Sequence, residues 1–213
     1  MDRESRHQCL IYDGAPSEQL PALAATLQRK LNEGYRCLYL NSRPMVAGMR
    51  SLLSAKGMDV ANEIANGRLI LSSEPTTSAD GSFDVTLMLH KLEEVLDLAV
   101  NDGCKGLWAT GDMTWEFGSE KNLDKLAEYE RRLEELMRRR EELCGICQYH
   151  VDSLPREATR HGLLTHRTIF INETLTRLNP HYVSSKLLGG LLANSSELDQ
   201  TLTELCQLQK SRP

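Results

Sequence analysis

Cys9-Leu10-Ile11-Tyr12-Asp13-Gly14-Ala15-Pro16-Ser17-Glu18-Gln19 is the stretch on which the fold class turns. An apolar run too short for a helix enters a turn of Asp, Gly and Pro, and an amphipathic segment, Ser17 to Asn32, follows. Short apolar runs without strict alternation are the pattern of strands covered on both faces. The unit then repeats. Further runs are Cys37-Leu38-Tyr39-Leu40, Leu69-Ile70-Leu71, Gly106-Leu107-Trp108-Ala109-Thr110, Leu143-Cys144-Gly145-Ile146-Cys147 and Thr168-Ile169-Phe170-Ile171. Helix-period stretches over 44–56, 83–101, 120–140 and 155–166 separate them. Strand–helix–strand succession calls for parallel strands joined by crossovers. The expected fold is therefore α/β, a three-layer sandwich around a mainly parallel central sheet, with a short C-terminal helix.

The same opening stretch argues against one chemistry. A nucleotide-binding loop at this point carries Gly-x-x-x-x-Gly-Lys-Ser/Thr, whose amides cradle phosphates while the lysine neutralises them. Here Gly14 stands alone, no lysine follows, Pro16 removes an amide donor, and Asp13 and Glu18 would repel a triphosphate. No Gly-x-Gly-x-x-Gly or Gly-x-Ser-x-Gly follows any strand. His161 and His166 miss the spacing of His-Glu-x-x-His. The chain is expected not to be an enzyme and to need no cofactor.

Composition agrees with an ordinary globular chain: 213 residues, 40% hydrophobic and 26% charged. A net charge of −5 gives no electrostatic reason to expect direct nucleic-acid binding. No apolar run reaches a membrane span, and the start lacks the apolar core of a signal peptide, so no membrane contact and a cytoplasmic location are expected. Cys9, Cys37, Cys104, Cys144 and Cys147 lie in or beside apolar segments, as buried free thiols do. Cys144-x-x-Cys147 with His150 is a conceivable metal set, but it has no second ligand pair, and a strand containing two cysteines is preferred. No metal site is read from the sequence.

Local signals divide the helices. Ser17 can cap the first, with Pro21 in its opening turn, and Gly34, Gly57 and Gly103 mark helix ends. Leu123, Leu126, Leu133, Leu136 and Met137 make an apolar stripe whose flanks carry charges of both signs, a solvated face rather than a basic patch. His90, beside Leu87, Met88, Leu89 and Leu92, reads as a packed histidine. Beyond Gly189-Gly190, Ser195 can cap a helix to about Gln209. Leu188, Leu191, Leu198, Leu202 and Leu205 give it a seam, which either packs on the sheet domain or pairs with a protein partner or second copy.

In open α/β sheets ligands bind beyond the carboxyl ends of the strands. That rule selects Asp13-Gly14, Asn41-Ser42-Arg43, Ser72-Ser73-Glu74, Gly111-Asp112-Met113-Thr114-Trp115 and Gln148-Tyr149-His150. Asp112 is either a site carboxylate or a cap of the turn after its strand.

Taken together, His7-x-Cys9-x-Ile11-Tyr12, Gly34-Tyr35-Arg36-Cys37-Leu38-Tyr39, Gly111-Asp112-Met113-Thr114-Trp115, Tyr129-Glu130, Cys147-Gln148-Tyr149, Leu164-x-x-His166 and Asn179-Pro180-x-Tyr182 resemble the MEDS family, the methanogen/methylotroph DcmR-type sensory domain. The chain departs from that pattern at His150, where a carboxylate is usual, and at Arg167, where proline is common. The resemblance implies a RecA/KaiC-like fold without its phosphate loop, over 6–184, with 185–213 as a helical extension. It also implies a sensory module that binds a small organic ligand and passes the signal to a partner regulator. The segment after Tyr182 is too short for a helix-turn-helix or a kinase core. On this reading Tyr12, Trp115 and Tyr149 give the ligand its apolar contacts, and Asp13, Asn41, Ser42, Asp112 and His166 its polar ones. The alternatives are an atypical ATP site with Asp112 holding Mg²⁺, and a ligand-free interaction scaffold working through the C-terminal helix.

Overall fold

The computed structural model describes residues 6–74, 76–77, 81–116, 122–183 and 195–210, and for 115, 116 and 195 the backbone alone. The apolar runs form β1 (His7–Tyr12), β2 (Arg36–Leu40), β3 (Leu69–Ser72), β4 (Leu107–Asp112), β5 (Leu143–His150) and β6 (Thr168–Phe170). A seventh strand, β7 (Thr176–Leu178), pairs antiparallel with β6; it is short and wholly exposed, so no apolar run announces it. The sheet order is β3-β2-β4-β5-β1-β6-β7, with every pair except the last parallel. β1 thus lies near the middle, and the carboxyl ends of β1, β2, β4 and β5 share one edge.

The helices are α1 (Leu20–Asn32), α2 (Arg43–Ala55), α3 (Val60–Ala65), α4 (Val85–Asn101), α5 (Met113–Glu116), α6 (Leu123–Arg139), α7 (Arg156–Thr165) and α8 (Ser195–Lys210). Strand alternation sends side chains to two separate cores. Cys9, Ile11, Cys147 and Tyr149 pack with α4, α6, α7 and α8. Leu10, Tyr12, Cys37, Tyr39 and Ile146 pack with α1, α2 and α3. Two cores on opposite faces of one sheet make the three layers.

Several local expectations are met and others corrected. Gly34, Gly57 and Gly103 follow helices at φ of 92°, 84° and 79°, the left-handed conformation that closes a helix at little cost for glycine. Ser17 does not cap α1: Pro16–Gln19 is a 3₁₀ turn, and the helix begins after it with Gln19 at the cap position. His90 is not packed, for the helical rotation that buries Leu89 and Leu92 turns it outward beside Glu94, 3.3 Å away. Leu123, at the first turn of α6, is also exposed.

The C-terminal seam turns inward. Leu198, Leu202, Leu205 and Cys206 belong to the core shared with α6 and α7, so this face of α8 is consumed within the chain instead of pairing with a partner or second copy. Leu188 and Leu191 lie outside the described residues. Asp199 fastens the helix to α7, accepting from Arg160 Nε and Nη2 at 2.8 and 2.6 Å and from Arg156 Nε at 3.0 Å. A two-pronged guanidinium–carboxylate pair fixes orientation even at the surface. Asp199→Ala is expected to speed amide exchange along α8 while the exchange of β1 and β5 stays as it was; equal exchange in α8 would show the clamp to be idle.

Candidate functional site

At the carboxyl edge, the face covered by α1 and α2 carries a polar layer inside an apolar sheet. The register explains it. Tyr39 pairs with Thr110, and Thr110 with Ile146; one level on, Asp112 pairs with Gln148, and Asn41 follows directly after the Leu40–Gly111 pair. Tyr12 pairs with His150 one step further out. Tyr12 and Asn41 are fully buried, and Asp112 and Gln148 nearly so. Gln148 Nε2 donates to Thr110 Oγ1 at 2.8 Å, and Thr110 donates on to the Ile146 carbonyl at 2.8 Å. Asp112 Oδ1 accepts the Thr114 amide at 2.8 Å, the turn-capping role open to it from sequence.

Tyr12 Oη and Gln148 Oε1 of this layer, and Thr114 Oγ1 next to Asp112, have no hydrogen-bond partner, and the Tyr39 hydroxyl and the Asn41 side-chain amide lie against each other. A buried polar atom left unpaired costs about 1–3 kcal/mol, so a group of them marks a place where a polar occupant is gained cheaply. Burial, then the nearby Asp112 carboxylate, pushes both tyrosine hydroxyls far above their ordinary range, so both stay neutral donors.

His150 closes the outer side. Its ring stacks on Tyr12, centroids 5.0 Å apart and planes 18° from parallel. Its Nε2 meets the Gly14 carbonyl at 2.9 Å, which can only accept, so Nε2 carries a proton and Nδ1 accepts from Ser153 at 2.6 Å. The Gly14 amide donates to Asp152 at 2.9 Å. The turn after β1 thus offers its amide to a carboxylate of its own chain, not outward to an anion.

The sequence-selected residues do not all meet here. Tyr12, Asn41 and Asp112 do, and Ser42 follows Asn41 with its amide on Asn41 Oδ1 at 2.8 Å. Asp13 points elsewhere: it pairs with Lys210 of α8 at 2.7 Å and lines a separate cavity of ≈ 500 Å³ between the β5–α7 connection and α8. The side chain of Trp115 lies outside the described residues. Tyr149 and His166 are on the opposite face of the sheet from Tyr12, because Tyr149 alternates with His150 along β5. Cys144 and Cys147 also part to opposite faces, so Cys144, Cys147 and His150 do not assemble.

What Tyr149 and His166 join instead is a fully buried polar cluster with His7, Glu130 and Cys147. Glu130 Oε1 accepts the Tyr149 hydroxyl, and Glu130 Oε2 lies 3.4 Å from His7 Nε2 and 3.5 Å from His166 Nε2. His7 Nδ1 meets Glu134 at 2.9 Å, and its Nε2 meets Cys147 Sγ at 3.6 Å. His166 Nδ1 donates to the Gly162 carbonyl at 2.7 Å. Glycine is required at 162, where a Cβ would stand 2.6 Å from the Tyr149 ring. Burial would raise the Glu130 carboxyl, but His166, His7 and Tyr149 overcome it and hold it well below the carboxylate range. Burial, then the charge of His7, pushes His166 down to about 4, so it is neutral near pH 7. The thiol of Cys147 is pushed up to about 12 by burial and then by Glu130.

Residues 6–167 match the family model described as MEDS, the MEthanogen/methylotroph, DcmR Sensory domain. Over 164 residues the chain is 26% identical to the transcriptional repressor DcmR of Methylorubrum extorquens (strain DSM 6343 / CIP 106787 / DM4), an alignment covering 77% of this chain and 59% of the repressor. The chain therefore spans about three fifths of that relative's length. No helix among the described residues is long and apolar enough to cross a membrane.

Proposed function

The chain belongs to the MEDS sensory-domain family, and from that premise we propose that it is a non-enzymatic sensor of a small organic molecule that reports to a partner regulator. The ligand sits in the polar layer at the carboxyl edge, between Tyr12, Tyr39, Asn41, Thr114 and Gln148. One observation carries this reading: Tyr12 Oη, Thr114 Oγ1 and Gln148 Oε1 are buried without partners, at the edge where open α/β sheets bind ligands. The unpaired set mixes hydroxyls (Tyr12 and Thr114) with an acceptor (Gln148 Oε1), and Tyr12 and Asn41 are fully covered. The ligand is accordingly small, neutral, and able both to donate and to accept. Likeness to a transcriptional repressor supports a role in transcription control.

The turn after β1 gives such a site a route outward. Tyr12 lines the layer, Gly14 holds His150, and Asp13 between them pairs with Lys210 of α8. A shift of Tyr12 on binding would be felt at α8, whose outer face remains available to a regulator. An ATP reading with Asp112 holding Mg²⁺ gains nothing from this geometry, since Asp112 caps α5 and the Gly14 amide is already taken.

The test is saturation-transfer NMR of the full chain with a panel of short-chain alcohols, amides and carboxylic acids. At least one neutral compound should take up saturation from wild type and lose it in Asn41→Leu, with the far-UV spectrum retained. Saturation equal in the two proteins, or none across the panel, would remove the layer as the binding site.

A further inference from the structure

The buried cluster on the other face of the sheet is built as a metal centre. We propose that His7 Nε2, Glu130 Oε2, Cys147 Sγ and His166 Nε2 bind one divalent transition-metal ion of the zinc type. They come from β1, α6, β5 and the residue that ends α7, and the four ligand atoms lie within 4.8 Å of one another. Tetrahedral coordination with bonds of about 2.0–2.3 Å sets ligand atoms about 3.3–3.8 Å apart. Three of the separations are already there: 3.4 Å for His7–Glu130, 3.5 Å for His166–Glu130 and 3.6 Å for His7–Cys147.

Orientation carries the inference further than proximity. Each ligand except the cysteine has its other polar atom held, which leaves the inner atom to face the centre. His166 Nδ1 is on the Gly162 carbonyl, His7 Nδ1 on Glu134, and Glu130 Oε1 on the Tyr149 hydroxyl. Outer partners of this kind fix the tautomer and direction of metal-bound histidine and carboxylate. The inner atoms Glu130 Oε2 and His166 Nε2 are buried and make no short hydrogen bond: they meet each other at 3.5 Å, and Glu130 Oε2 meets His7 Nε2 at 3.4 Å. Two neutral imidazoles, one carboxylate and one thiolate would make an ion of charge +2 neutral overall, the condition under which charge is tolerated in a dry interior. The mixed nitrogen, oxygen and sulfur donors suit zinc and its neighbours and are a poor set for magnesium or calcium. The four protein ligands fill a tetrahedron, which marks a structural centre bracing β1 and β5 against α6 and α7. It lies across the sheet from the polar layer, so each assignment stands without the other.

Two measurements on the full chain test it. Elemental analysis of the purified protein should find near one zinc-type ion per chain. After chelation, titration with Co²⁺ should produce a near-ultraviolet thiolate-to-cobalt charge-transfer band, which Cys147→Ala abolishes. Glu134→Gln keeps all four ligands and should weaken Co²⁺ affinity about 10–100-fold, and this variant decides the matter if Cys147→Ala does not fold. A metal-free protein that gives no thiolate band with Co²⁺ overturns the site. So does a bound metal whose amount and spectrum are indifferent to both substitutions.

Discussion

Glu130→Ala is expected to cost about 3–5 kcal/mol of folding stability, the penalty for removing one partner from a buried charge network. Glu130 is 1% exposed and serves Tyr149, His7 and His166 at once. Without it the Tyr149 hydroxyl is an orphan, the His7 and His166 rings, already in contact at 4.1 Å, lose the carboxylate between their Nε2 atoms, and β1 keeps only the His7–Glu134 contact of this cluster with α6. At roughly 2–4 °C per kcal/mol for a chain of this size, the melting temperature should fall by about 10 °C. Glu130→Gln keeps the volume and an oxygen for Tyr149, and should cost well under half as much. Urea unfolding followed by circular dichroism reads both. A Glu130→Ala chain within 1 kcal/mol of wild type would mean that water, not this carboxylate, satisfies the cluster.

Leu205→Ala separates two views of α8. Leu205 is completely buried and packs in the core shared with Leu198, Leu202 and Cys206. Deleting a leucine side chain from such a site costs about 2–5 kcal/mol, through lost transfer energy and the cavity left behind. The same substitution in a helix reserved for a partner would leave the chain within about 0.5 kcal/mol of wild type. Denaturant midpoints should therefore fall for Leu205→Ala and stay put for Glu204→Ala on the exposed face, whose contact with Gln200 is itself exposed. An unchanged midpoint for Leu205→Ala would return α8 to the role of a free interaction arm.

The strands were legible because each is a local event, an apolar run with turn residues after it. For the same reason Tyr12, Asn41 and Asp112 were legible as an edge cluster: each sits at the end of a run, and parallel strands bring such ends together. Tyr149 lies on the other face through alternation, and His166, which ends α7, packs edge-on against it there. Position along β5 places Tyr149 at the edge, but the alternating direction of its residues sends it to the other face from His150.

The His–Glu–Cys–His cluster was hidden for a different reason. Its members come from four elements, and each has an unremarkable local explanation, as when Cys147 reads as a small apolar residue of a strand. One signal was present. Leu126, Tyr129, Leu133, Leu136 and Met137 define the buried stripe of α6, and Glu130 lies within it, four residues after Leu126. A carboxylate on the core face of a helix demands a partner. Gln148 in a fully buried strand is the equivalent signal for the polar layer.

Native mass spectrometry of the full chain, followed by denaturing extraction, reads directly whether the polar layer holds a ligand. A small neutral organic molecule should be retained by wild type, released on denaturation and lost from Asn41→Leu. A retained nucleotide, a retained molecule indifferent to Asn41→Leu, or a wild-type chain that carries nothing would contradict that expectation.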